Sequence, residues 1–203
     1  MTMFLALKTP LLASSAALVL ANLVPLAGAL LGYWSSFELM LLFWAENIVI
    51  GLFQILRMAT VLGMRREREV LALIPFFAMH YGLFTYVHGF FLVLLFGGGL
   101  TLDAAVGLLG GGLLWPVLGL VASHGLSFAL NFWGAGEWRS VAPNALMKQP
   151  YGRVVLLHLV IMAGGFIALA LQDATIALAL LVLAKIAVDL RAHWREHRAA
   201  AAG

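Results

Sequence analysis

The chain has 203 residues, 64% of them hydrophobic and 10% charged, with a mean hydropathy of +1.03; soluble domains are about half apolar and a quarter charged, so the solvent expected here is a bilayer. Twelve Lys and Arg against nine Asp and Glu give a formal net charge of +3, but the cations cluster at the expected membrane edges, which removes the need for a nucleic-acid partner. With no cysteine, a disulfide framework, a thiolate metal site, an iron–sulfur cluster and a thiol nucleophile are excluded, and chemistry is left to His, carboxylate, Ser and Asn.

A spanning helix needs about 20 mostly apolar residues to cross a hydrocarbon core about 30 Å thick. Six segments satisfy this in chain order: residues 11–31, 39–56, 70–96, 104–133, 154–171 and 174–190. The expected fold is therefore all-α, a polytopic transmembrane helical bundle forming a single domain over residues 1–203. Residues 134–153 are expected to form a cytoplasmic interfacial loop, and 191–203 a basic cytoplasmic tail. Lys8 and Ala27-Gly28-Ala29 imitate a cleaved leader, yet the apolar run is too long and no polar mature region follows, so the first segment reads as a span. The third and fourth segments exceed the bilayer and should tilt or project. Gly28 with Gly32, Gly107 with Gly111, and Gly164 with Gly165 suit close helix packing.

Every Lys and Arg falls before the first span, in alternate connections or at the end of the chain: Lys8; Arg57, Arg65, Arg66 and Arg68; Arg139, Lys148 and Arg153; and Lys185, in the last turns of the sixth span, with Arg191, Arg195 and Arg198. The other connections hold only acids, Glu38, Asp103 and Asp173. Cations of short loops collect on the cytoplasmic side, so both termini are expected inside and the protein in a prokaryotic inner membrane. What remains within the bilayer is the one acid Glu46.

Ionisable groups inside a span are costly and mark function by default. Counting about 1.5 Å per residue from the inner boundary, Glu46 on the second span, His80 on the third, His124 on the fourth and Asn22 on the first all fall about 12–18 Å up. His88 lies two turns above His80, and His158 about one turn inside the boundary. Two imidazoles and a carboxylate match the ligands of a catalytic zinc with an open position, or of an iron(II) facial triad. The candidate metal ligands are therefore Glu46, His80, His124 and His88, with Asn22, Asn47, Tyr81, Ser123, Ser127 and Asn131 as hydrogen-bonding support. Without metal, a protonated Glu46 bonded to one histidine would merely knit helices together.

Three motif matches are weaker. His193-Trp194-Arg195-Glu196-His197 has the H-x-x-E-H pattern but sits in a basic tail with no fold after it. Gly125-Leu126-Ser127-Phe128 resembles a rhomboid serine motif without its final glycine. Phe76 to His80 and Phe84 to His88 resemble the second motif of membrane-embedded CAAX-type prenyl proteases, whose paired glutamates are missing.

A closer resemblance is carried by three blocks in order: Phe43-Trp44-Ala45-Glu46-Asn47 with Gly51; His80-Tyr81-Gly82-Leu83-Phe84 with His88-Gly89; and Ser123-His124-Gly125 with Ser127-Phe128 and Asn131-Phe132. Together they resemble an uncharacterised family of prokaryotic polytopic membrane proteins, a domain of unknown function. The resemblance covers roughly half the chain and implies no reaction. Three functions stay open: an intramembrane, metal-dependent hydrolytic enzyme using zinc or iron on a small-molecule or lipid-borne substrate; a metal-ion or proton transporter; and a metal-free membrane scaffold. Bis-histidine haem is weaker, because His80 and His88 lie close on one helix. The lipid bilayer is the expected partner, and a homo-oligomer is compatible with the pattern.

Overall fold

The computed structural model describes residue 31, residues 33–171, and residues 179, 182, 183, 186 and 187. The expected spans over 11–31 and 174–190, Asn22, and the tail with its H-x-x-E-H motif lie wholly or largely outside the described residues. Within them the chain is helical throughout, with no strand.

Helix α1 spans Ser36–Arg65. Glu38 N–H donates to Ser35 Oγ at 3.1 Å, and Ser35 N–H donates to Glu38 Oε2 at 2.8 Å, a capping box that satisfies two of the donors a helix start leaves open. The helix ends where Arg66 turns left-handed at φ 55°. This corrects the expected end at residue 56, which treats Arg57 as a boundary charge. Instead, the Arg57 guanidinium lies 5.3 Å over the Phe132 ring, and the next turn buries Met58 and Val61. At about 1.5 Å per residue, α1 is about 45 Å long and outruns a hydrocarbon core of about 30 Å.

Helix α2 spans Glu69–Phe96, close to expectation. It packs antiparallel to α1 through two reciprocal contacts. Gly51 of α1 faces the Tyr81 ring, and Gly89 of α2 faces the Trp44 indole; a Cβ at either glycine would come within 2.6 Å of the ring. The same aromatics bond backbone on the opposing helix, Trp44 Nε1–H donating to Thr85 O at 2.7 Å and Tyr81 O–H to Asn47 O at 2.9 Å. Large rings over missing side chains let the backbones approach, as small residues do in lipid. These packing glycines lie in the family-like blocks, not among the spaced pairs singled out from sequence; of those pairs, Gly165 packs against Leu95.

The expected single helix over 104–133 is not continuous. The chain forms α3, Leu102–Gly110, then a turn, then α4, Leu114–Ser127, which passes into a π-helical segment, Phe128–Gly134. Three consecutive glycines, 110–112, explain the break, since glycine costs about 1 kcal/mol relative to Ala in a helix interior and offers no side chain to pack. Leu113, buried, anchors the turn. The wide π turn stacks Phe128 on Phe132 at 5.6 Å and places Phe132 in the core under Arg57.

The segment after the π turn does not lie loose at a boundary. It forms a short 3-10 turn, Glu137–Arg139, then α5, Pro143–Lys148, and enters α6, Tyr151–Leu171. Leu146 of α5 is fully buried among Met58, Val61, Val70, Phe77, Tyr81, Phe132 and Val154. The Gln54 amide donates to Leu146 O, and Arg65 Nη1 donates to Val141 O at 2.6 Å. A second cluster, built on Leu39, Met40, Leu41, Trp44, Leu92, Leu113, Leu157 and Ile161, fills the other end.

The contacts fix relative direction. Residues 53 and 57 of α1 meet 124 and 132 on the α4 run, so those two are parallel; residues 80 and 88 of α2 meet 151 and 158 of α6, so those are parallel too. Cations gather at the end holding Arg65, Arg66 and Arg68, whereas the opposite turns carry Glu38 and Asp103. Helices α1, α2 and the run Leu114–Gly134 are each long and apolar enough to cross a membrane. Along α2, Leu71, Met79, Leu83, Tyr86, Phe90 and Leu94 are exposed, a ridge suited to lipid tails rather than water.

Candidate functional site

The polar side chains of α2 that face α6 form a seam of two pairs. His80 Nδ1 lies 2.9 Å from the Tyr151 hydroxyl, with its ring between Phe76 at 5.3 Å and Phe84 at 4.9 Å. Two turns along, His88 Nε2 lies 2.8 Å from His158 Nδ1, the rings 4.9 Å apart and steeply inclined at 65°. His88 is only 2% exposed, whereas His158 is exposed. The geometry follows from spacing: eight residues on α2 and seven on α6 are each about two helical turns, about 12 and 10.5 Å. Parallel helices with those spacings bring both pairs into register.

Each pair has definite chemistry. Between two neutral imidazoles one nitrogen must donate and the other accept, so His88 and His158 hold one proton between them. Adding a proton to the pair preserves an N–H···N bond; adding a second makes both facing nitrogens donors and opens it. The buried ring is thus reached through an exposed one.

The other candidates are placed apart. The α1–α2 contacts pair residue 44 with 85 and 89, and residue 81 with 47 and 51, which puts Glu46 level with about residue 84 or 85, between His80 and His88 and about 5 to 7 Å along the axis from each. Glu46 is half-buried and already engaged. His124 stacks on Phe53 at 6.2 Å, and its Nδ1 lies 3.0 Å from Leu120 O. It lines a separate cavity with Gln54, Arg57 and Gln149. Among the described residues no three His, Asp or Glu side chains form a group that could hold a metal ion.

Of the supporting residues, Tyr81 and Asn47 join α1 to α2, and Asn47 Nδ2 also donates to Phe43 O at 2.8 Å. Ser123 and Asn131 are exposed, and the Ser127 hydroxyl accepts from Asn131 Nδ2 at 3.3 Å, an amide where a serine nucleophile needs a general base. Sequence reasoning missed Tyr151 and His158 as partners. The readable signal was their two-turn spacing, which matches that of His80 and His88. It was hidden by measuring α6 from its own first residue, although α5 lifts that start to the level of His80.

No curated protein and no solved structure matches the chain. A family model described as a family of unknown function (DUF6498) matches residues 5–203, nearly the whole chain, and the chain belongs to that family.

Proposed function

We propose that the chain is a six-span protein of a prokaryotic inner membrane, both termini cytoplasmic, whose seam between α2 and α6 takes up and passes protons. The observation that carries this reading is the His88–His158 bond, in which a buried imidazole is connected to an exposed one at 2.8 Å. Imidazole is the side chain best suited to gain and lose a proton near neutral pH, and the ordered pair offers a donor and an acceptor already aligned. His80 and Tyr151 repeat the arrangement nearer the basic end. The alternating helix directions and the gathering of cations at one end support the orientation.

In proteoliposomes enclosing a pH-sensitive dye, an imposed potential is expected to drive proton entry through the wild type. His88→Asn and His158→Asn should each lower that flux about tenfold, a barrier change of about 1.4 kcal/mol. Unchanged flux in both removes the reading. Orientation is tested separately: the chain has no cysteine, so Gly99→Cys and Arg66→Cys report sidedness by labelling in intact cells, with Gly99→Cys expected to react from outside.

A second reading, metal binding for transport or hydrolysis, is favoured by the same two nitrogens. Zinc–nitrogen bonds of about 2.0–2.1 Å need a modest separation of the rings, and Glu46 lies about one turn from them along the axis. Zinc or iron at one per chain, lost in both His88→Ala and Glu46→Ala, would move the assignment to this reading.

A further inference from the structure

On another face of α1, a cavity of about 170 Å³ opens between α1, α4 and the Gln149–Pro150 turn, lined by Phe53, Gln54, Arg57, His124 and Gln149 among others. A water molecule occupies about 30 Å³ in the liquid, so the space admits several waters or one tetrahedral oxyanion. Its walls are not inert. A guanidinium carries five N–H donors, and Arg57 spends one of them on a long bond, Nη1 to Gln149 Oε1 at 3.5 Å. Its Nε is buried with no partner, and the Phe132 ring covers it at 5.3 Å. The Glu137 carboxylate acts on it through space without forming an ion pair.

Arg57 is half-buried, with its Nε buried and unpartnered and most of its donors unspent, and a bound anion would satisfy them through charge-assisted bonds. The neighbours fit the same ligand. His124 donates Nδ1–H to Leu120 O, which leaves Nε2 of the neutral ring an acceptor, so the ring shapes the cavity wall beside Phe53 and does not donate to an anion. The Gln149 oxygen faces Arg57, which leaves its amide N–H groups to donate. Gln54 is committed to Leu146 O and acts as a wall. No carboxylate lines the cavity. Arg57 lies eight residues from the Arg65 end of α1, about 12 Å along the axis, on the side where Arg65, Arg66 and Arg139 favour anionic headgroups.

We propose that this cavity is a phosphate-group site, with Arg57 as the forked donor, the Gln149 amide as accessory donor and His124 as a wall. The phosphate comes from an anionic phospholipid or from free phosphate. The site uses no residue of the α2–α6 seam, so it stands or falls independently of the proton reading.

The test is thermal unfolding of the full chain in detergent, with added phosphatidylglycerol, phosphatidylcholine or inorganic phosphate, for wild type, Arg57→Gln and Arg66→Gln. Phosphatidylglycerol is expected to raise Tm by several degrees and phosphatidylcholine to leave it unchanged. The shift should vanish in Arg57→Gln and persist in Arg66→Gln, whose side chain is outside the cavity. Inorganic phosphate reproducing the shift identifies the free anion as the source; a shift with the lipid alone identifies the headgroup. Equal shifts in wild type and Arg57→Gln overturn the proposal, as do equal shifts with both lipids or no shift with any additive, the last meaning water alone fills the cavity. Should Arg57→Gln fail to fold, Gln149→Ala replaces it. It is expected to weaken the binding about tenfold, and unchanged binding overturns the proposal.

Discussion

Helix α2 is held on two faces by different physics. Toward α1 it is locked by shape, with the Trp44 and Tyr81 rings seated over Gly89 and Gly51 and their polar ends bonded to backbone carbonyls that do not titrate near neutrality. Toward α6 its polar contacts run through titratable side chains, His80 with Tyr151 and His88 with His158. The first face therefore keeps its strength across pH, while the second changes with the number of protons it holds. A helix fixed on one side and proton-sensitive on the other can transmit a protonation event as movement of α6 without loosening the α1–α2 pair.

The comparison is broken most severely at the shape-locked face. Gly89→Leu places side-chain atoms where the Trp44 indole already lies, and should cost about 3 kcal/mol or more by overpacking, read as a large fall in Tm in detergent at every pH. On the opposite face, His88→Leu should cost about 1–2 kcal/mol, because it leaves the His158 nitrogen unpaired. Its diagnostic effect is on pH response: amide protection along α6, taken relative to the intrinsic exchange rate at each pH, should fall in acid in the wild type, as a second proton opens the imidazole pair, and lose that acid dependence in the variant. Trp44→Phe removes both the hydrogen bond to Thr85 O and the indole atoms over Gly89, so about 1–2 kcal/mol is expected, again with no pH dependence. Smallest is Ser35→Ala, which removes the α1 cap far from both faces and should cost about 1 kcal/mol or less, measured as a Tm shift with flux unchanged.

Much of this architecture was legible in the residues. The apolar run of α2 and the alternation of cations with acids follow from the cost of placing charge in hydrocarbon, and α2 forms within one residue of its expected start. The depth ruler failed where a local compensation was invisible. Arg57 reads as a membrane boundary until Phe132, 75 residues later in the chain, is known to lie beneath it. Gly111 is read with Gly107 as a packing residue because composition cannot distinguish a packing glycine from one that ends a helix. His80, His88 and His124 are singled out in the sequence as polar groups within apolar segments, but which pairs with which depends on helix register. Tyr151, moreover, begins α6 well inside the bundle because Leu146 is buried beneath it.

The central claim is that His88 and His158 act as one proton-sharing unit. Imidazole nitrogen NMR on histidine-labelled protein in lipid tests it directly. The account predicts scalar coupling across an N–H···N bond between the two rings, lost together in either His88→Asn or His158→Asn and lost in acid in the wild type. Two rings that titrate independently, each with a normal spectrum when the other is replaced, would contradict it.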